Sequence, residues 1–304
     1  MTIETRRLGR TGADVTILGY GAMELRGQPH GPAISDDDAG RLLGEVLDGG
    51  INLIDTSIDY GRSEELIGRY LGHRRDDYFL ASKCGCLLGP SPPGARPPFP
   101  HDYSAANVRA GIEQSLRRLG TDHLDLVQVH MSPSREQMAA EDTIETLASV
   151  RAEGKTRFIG MSGILPNLPD HIAMGVFDVF QIPYSAVERE HEAIIAAAAK
   201  AGSGIVVRGG AAKGAPTEGK HEGVQWERWQ KIDLRDLLAG STPMEFILRF
   251  TFTHPDLHTN IVGTINPEHL RHNVDVLRQG PLRADVYAEA KRRLDAAGSS
   301  PRAA

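Results

Sequence analysis

The chain has 304 residues, 40% hydrophobic and 24% charged, the composition of an ordinary water-soluble folded protein. Its net charge of −6 leaves no basic field for nucleic acid or an anionic membrane surface. No run approaches the ~18 apolar residues of a membrane span, and the opening MTIETRRLGR lacks the apolar core of a signal segment.

The two cysteines, Cys84 and Cys86, stand one residue apart. Extended neighbours at that spacing flank a residue whose side chain faces the other way, and no companion pair exists to complete a tetrahedral zinc set, so neither a bridge between them nor a metal is expected. Sparse cysteine usage suits the reducing cytoplasm, which is the expected location.

Residues 5–18 (TRRLGRTGADVTIL) predict a hairpin turning at Thr11-Gly12. LGYGAM, residues 18–23, reads as a strand end broken by glycines. Ser35 followed by three aspartates and the spacing of Ala39, Leu42, Leu43, Val46 and Leu47 predict a capped amphipathic helix, stopped by Gly49-Gly50. A strand over 51–55, a helix over 63–71 and a strand over 78–83 follow. Residues 85–101 form a long loop with six prolines, a candidate lid or pocket wall.

Further on, the pattern predicts helices over 104–119, 143–153, 168–174, 191–201, 243–253 and 267–277, and a last helix through Val286, Ala290 and Leu294. Between them lie strands over 124–130, 157–161, 176–182, 205–208 and 258–263. Trp226 and Trp229 read first as core packing rather than as a substrate box. Residues 298–304 are expected to be a flexible tail.

About eight strand–helix alternations therefore follow the hairpin. The strands are apolar along their length, as parallel strands covered on both faces are. Over ~250 residues this pattern fits either a doubly wound open sheet or a closed (β/α)8 barrel. No G-x-G-x-x-G follows the first strand, and a hairpin is available to plug one end, so the expected fold is an α/β (β/α)8 TIM barrel with an N-terminal β-hairpin, one domain over residues 1–304 with the hairpin at 1–18.

In such a barrel the chemistry collects at the C-terminal strand ends. Three consecutive strands end on ionisable residues: Asp55 with Tyr60 in the loop after it, Lys83, and His130. Neighbouring strands lie ~4.8 Å apart, which puts these ends within roughly 10 Å of one another. A lysine ammonium beside a tyrosine favours the phenolate and lowers its pKa; an aspartate keeps the lysine charged and fixed; a histidine orients a carbonyl oxygen. This is a general-acid site for a developing alkoxide, with no nucleophile of its own, and its natural partner is a hydride donor.

The stretches NLIDTSIDYG, FLASK, YSAANVRAGIEQSLRRLGTDHLDLVQVH, RFIGMSG, VFQIPYS and IVGTINPEHLRHN, in that order, resemble the aldo-keto reductase family over roughly residues 5–280. The resemblance implies a cytoplasmic NAD(P)(H)-dependent oxidoreductase that interconverts a small-molecule carbonyl and its alcohol. NADP(H) is the favoured cofactor and NAD(H) the alternative. It implies a tetrad of Asp55, Tyr60, Lys83 and His130, with Tyr60 as proton donor and Asp55 also close to the cofactor. A nucleotide-sensing subunit without catalysis on the same barrel is the alternative of a different class; an intact tetrad favours the enzyme.

By the same resemblance Gly21, Ala22 and Met23 lie beside the nicotinamide–pyrophosphate side. Ser162 and Gln181 bind the carboxamide, and Tyr184 stacks on the nicotinamide. The family's usual asparagine after the serine is Gly163 here. Its Ser-Pro-Leu phosphate loop is replaced by VVRGGAAKG, in which Gly209 and Gly210 permit close backbone approach and Arg208 and Lys213 supply charge. Gly263, Thr264 and Asn273 match the adenosine-binding run. Its common basic residues are absent at Ile265 and His269, and its usual glutamate is His272. A 2′-phosphate would then rest on Thr264, Asn266, His269 and the helix N-terminus.

Overall fold

The computed structural model describes residues 3–89, 100–214, 216 and 223–302. Eight parallel strands close a barrel: β3 (Leu18–Gly21), β4 (Leu53–Asp55), β5 (Phe79–Cys84), β6 (Leu124–His130), β7 (Thr156–Ser162), β8 (Val179–Pro183), β9 (Gly204–Arg208) and β10 (Thr259–Val262), with β10 paired to both β3 and β9. Before them β1 (Thr5–Arg7) and β2 (Asp14–Thr16) pair antiparallel as the expected hairpin. Their connection is longer than a two-residue turn and includes a 3-10 turn over Gly9–Thr11.

The period of two along each strand divides the core. Leu53, Phe79, Ala81, Leu126, Val179 and Val206 face inward and pack with Leu8 and Val15 of the hairpin segment, so the lower lumen is an apolar core closed from below. The same parity continued upward leads from Leu53 to Asp55, from Ala81 to Lys83, and from Leu126 to Gln128 and His130. It leads likewise from Val179 to Gln181 and from Val206 to Arg208. The opposite parity packs on the surrounding helices in the larger core, which includes Val127, Val129, Phe180 and Ile182.

Most helices follow the predicted pattern, beginning with Asp36–Asp48, whose Ser35 side chain accepts from the Asp38 N–H. The short helix Arg135–Ala140 was not predicted; it spans less than two turns and carries one buried apolar residue, Met138, too few for a period. The strand predicted over 176–182 runs instead over Val179–Pro183, its pairing to β7 starting at Val179, with Phe177 buried in the outer core before it.

Residues 298–302, expected to be a free tail, are docked. The fully buried Ser299 donates to the Ala186 carbonyl (2.9 Å), and its own carbonyl accepts from the buried Arg189 guanidinium (3.0 Å). The Arg302 N–H donates to the Glu190 carbonyl (3.1 Å). Most of the proline-rich loop predicted as a lid (90–99), and part of the glycine-rich stretch before Trp226 (215 and 217–222), lie outside the described residues. Trp226 and Trp229, on Val224–Gln230, are partly buried against the outer core.

Candidate active site

Register fixes the site. Gly21 pairs with Asp55, Lys83 with Gln128, His130 with Ser162, and Ser162 with Gln181. Polar side chains at these levels share one inward parity, so they meet above the apolar lower lumen.

Lys83 is 1% exposed and donates from Nζ to Asp55 Oδ1 (2.6 Å) and to the Thr56 carbonyl (2.8 Å). Burial opposes its charge most strongly, but the Asp55 carboxylate, joined by Tyr60 and Asp59, holds the ammonium above its ordinary pKa. Asp55 Oδ2 accepts from Gln128 Nε2 (2.9 Å) and Gln181 Nε2 (2.7 Å). The carboxylate therefore serves a lysine and two amides at once. Gln128 was not foreseen as part of the site, although its position two residues before His130 on a strand places both on one face.

The Lys83 ammonium stands 4.8 Å from the centroid of the Tyr60 ring. Burial raises the Tyr60 pKa, with Lys83 pulling it down and Asp55 and Asp59 pushing it up. The net direction is upward, the reverse of the expected lowering: in the closed lumen, loss of hydration outweighs the ammonium. The phenol thus keeps its proton at neutral pH. Gly61 forms the turn after it with φ 49°, and a Cβ there would lie 2.4 Å from the Arg26 carbonyl oxygen. Only glycine lets the Tyr60 loop lie so close to the segment after β3.

His130 is neutral. Burial first, then Lys83, His101 and Arg208, hold its pKa well below the ordinary imidazole value. Its Nδ1 lies 3.2 Å from Cys86 Sγ and 3.4 Å from His101 Nε2. The chain leaves it through two left-handed residues, Met131 (φ 68°) and Ser132 (φ 58°). Tyr103 holds this strained exit by donating from its hydroxyl to the His130 carbonyl (2.6 Å), and Asn167 by donating to the Ser132 carbonyl (2.9 Å). Alternation would keep the C-x-C pair on one face, but β5 ends at Cys84 and Gly85 (φ 90°) turns the chain: Cys84 is sunk in the outer core, while Cys86 turns to His130. Both thiols are free.

Of the residues matched to a cofactor, Ser162 and Gln181 meet in the lumen, the serine hydroxyl donating to Gln181 Oε1 (2.9 Å). The pair is engaged internally, the hydroxyl on Gln181 and the Gln181 amide on Asp55, so a carboxamide held here would exchange with one of these bonds. A Cβ at Gly163 would come within 2.9 Å of Ser132 Oγ and 3.0 Å of a Leu168 methyl, so an asparagine there requires these side chains to shift. Gly21 and Ala22 are buried at the top of β3, and Met23 is exposed beside them. Arg208 ends β9 half-buried, with its charge felt at both His130 and His191. Gly209 has φ 75°, and a Cβ on Gly210 would strike the Asn260 amide at 2.4 Å, so this loop lies tight on the barrel rim. Lys213 is exposed beyond it.

Tyr184 is not brought to the lumen. Three residues beyond the inward Gln181 it has the outward parity, and its ring packs between Phe250 and His254 with its hydroxyl 3.1 Å from that of Tyr287. It is 0% exposed and offers no face for a nicotinamide to stack on. Strand parity alone places Tyr184 on the outer face.

At the far rim, Thr264 Oγ1 accepts from the Asn266 N–H (3.0 Å), and Asn266 caps the helix Pro267–Arg278. His269 is exposed on its first turn and Asn273 is buried further in. Gly263, Thr264, Asn266 and His269 thus gather at a helix N-terminus, a position that suits an anion.

The sequence model described as the Aldo/keto reductase family matches residues 17–294. The chain is 27% identical over 286 residues to the oxidoreductase YqkF of Bacillus subtilis, covering 88% of this chain and 89% of that protein. It is 38% identical over 188 residues to L-galactose dehydrogenase of Arabidopsis thaliana, covering 58% of this chain and 55% of that protein. The holo form of an aldo-keto reductase from Bacillus halodurans has the same fold, with a TM-score of 0.82 at 26% identity over 95% of this chain and 96% of that one. No described helix is long and apolar enough to cross a membrane.

Proposed function

Because the chain belongs to the aldo/keto reductase family and is an oxidoreductase by that membership, we propose that it reduces a small aldehyde or ketone, or oxidises the alcohol, with NADP(H) favoured over NAD(H). The observation that carries this reading is the buried Asp55–Lys83 pair directly beneath the Tyr60 ring. A bound nicotinamide nucleotide supplies the hydride. Ser162 and Gln181 would hold its carboxamide, the 208–213 loop its phosphates, and the rim from Gly263 to His269 its adenosine end.

Every proton in the reaction is handled by the chain. Tyr60, kept protonated by burial, gives its proton to the carbonyl oxygen as negative charge develops there. Lys83 then stabilises the phenolate left behind. Asp55 keeps the ammonium charged and stationary. Neutral His130 donates a hydrogen bond that orients the carbonyl. The apolar lower lumen excludes water from beneath the site, which strengthens each of these interactions.

L-galactose dehydrogenase among the relatives directs the search for substrates toward aldoses and other small hydroxyaldehydes. The test is fluorescence titration with NADPH and with NADH, followed by turnover on such a panel with nitrobenzaldehyde as a general substrate. Nucleotide binding with turnover that Tyr60→Phe lowers ~10²- to 10⁴-fold supports the assignment. Unchanged turnover in Tyr60→Phe removes Tyr60 as donor, and binding without turnover on any carbonyl favours the sensing subunit.

A further inference from the structure

Around the imidazole of His130 the structure gathers ligand atoms that the reduction does not use. Asp59, Cys86, His101 and His130 each present one, and all four atoms lie within 4.8 Å of one another. The His130 Nδ1 atom is 3.2 Å from Cys86 Sγ, 3.4 Å from His101 Nε2 and 3.9 Å from Asp59 Oδ2. A tetrahedral zinc ion with ordinary bond lengths needs donor–donor edges of about 3.3–3.6 Å. Two of the three measured edges stand within a few tenths of that range, and the third closes with a small rotation of Asp59.

The four donors are held from behind. Ser57 donates to Asp59 Oδ1, which leaves Oδ2 turned toward His130. Asn107 donates to the Cys86 carbonyl (3.1 Å), and Cys86 pairs with His101 in an isolated antiparallel bridge that joins the two ends of the proline-rich loop. Tyr103 holds the His130 carbonyl. Such outer support is what orients ligands in built metal sites.

We propose that Asp59, Cys86, His101 and His130 bind one borderline divalent cation of the zinc class, and that the bound cation blocks the reductase site. On binding, the Cys86 S–H bond breaks and its proton leaves to solvent. Four coordinate bonds form, to the thiolate, the carboxylate and the lone pairs of two neutral imidazoles. Two anionic ligands neutralise the dication, as a half-buried pocket requires. A thiolate and two imidazoles select zinc, cobalt or nickel over magnesium or calcium. Binding draws Asp59, the neighbour of Tyr60, toward His130 and takes up the imidazole that is proposed to orient the carbonyl. The inhibitory half rests on the function proposed above; the metal site does not.

The experiment titrates chelator-stripped protein with Co2+ alone and reads the visible tetrahedral bands and the near-ultraviolet thiolate-to-cobalt band. Zn2+ is then added in competition, and turnover is measured with and without Zn2+. One Co2+ per chain with a thiolate band is expected. The band should vanish in Cys86→Ser, and affinity should fall on the order of 10- to 100-fold in His101→Ala, with circular dichroism confirming the fold of each. Absence of a thiolate band in the native chain, or full-affinity binding in both variants, overturns the site. Binding with turnover untouched by Zn2+ overturns the inhibition. A thiolate band in a protein that turns over no carbonyl leaves the metal site standing and removes the reductase reading instead.

Discussion

The ammonium of Lys83 and the carboxylate of Asp55 meet at 2.6 Å with 1% and 2% of their side chains exposed. An ion pair so buried is costly to break from one side only, because the remaining charge has no water to return to. Asp55→Asn is expected to destabilise the chain by roughly 3–5 kcal/mol in urea unfolding. The double variant Asp55→Asn/Lys83→Met is expected to regain much of that loss, since it leaves no unpaired charge. A double variant as unstable as the sum of the singles would show that the two residues are not energetically coupled.

In the function proposed above, protonation of Tyr60 sets the pH dependence. Burial raises its pKa above the ordinary phenol value despite Lys83. A general acid works only while protonated, so carbonyl reduction should be level between about pH 6 and 9 and decline only in stronger alkali. Oxidation of the alcohol needs the phenolate and should rise with pH across the same range. A reduction rate that halves near neutral pH would place the controlling proton elsewhere.

Much of this site was legible because a barrel strand alternates strictly. Asp55, Lys83 and His130 terminate apolar runs, and register did the rest. The capped helices and the plugging hairpin were equally plain, since each buries one face with its own period. What failed were features that depend on competition in three dimensions. The direction of the Tyr60 shift required weighing burial against one ammonium, and the docking of Ser299 required the buried Arg189, fixed by Glu192 and Asp295. The gathering of Asp59, Cys86 and His101 on His130 joins three loop segments that no local pattern relates.

The turn at Gly61 holds the loop of the proposed proton donor, Tyr60. Its left-handed φ of 49° and the 2.4 Å approach to the Arg26 carbonyl leave no space for a methyl group. Gly61→Ala should cost roughly 1–3 kcal/mol in stability and lower turnover more than it weakens nucleotide binding, because it displaces Tyr60 and not the cofactor loops. Thermal unfolding with steady-state kinetics and NADPH titration would check it; equal losses in binding and turnover would contradict the assignment of this loop to the proton donor.

At the rim proposed to hold the adenosine, His269 is the exposed side chain nearest the N-terminus of Pro267–Arg278 with an imidazole to offer a phosphate. His269→Ala is expected to weaken NADPH binding roughly three- to tenfold, the worth of about one hydrogen bond, and to leave NADH binding unchanged. Equal effects on both nucleotides would move the 2′-phosphate away from this residue.

A stability prediction rests on His191, 8% exposed, whose Nε2 accepts from the Leu165 N–H at 3.2 Å. Burial, with help from Arg208 and against Glu190, lowers its pKa to about 4. In the unfolded chain the imidazole titrates near ~6.5, so between these values the unfolded state binds a proton that the folded state refuses. Stability is therefore full above ~6.5 and is lost as pH falls toward 4, by about 2 kcal/mol between pH 7.5 and 5 from this residue. His130, His171, His254 and His258 are shifted the same way and steepen the slope of the native chain. His191→Gln keeps an acceptor for Leu165 without a titrating group, so its urea midpoint at pH 5 should fall less than that of the native chain. If the two chains lose stability in parallel, His191 is not the group that pays the acid penalty.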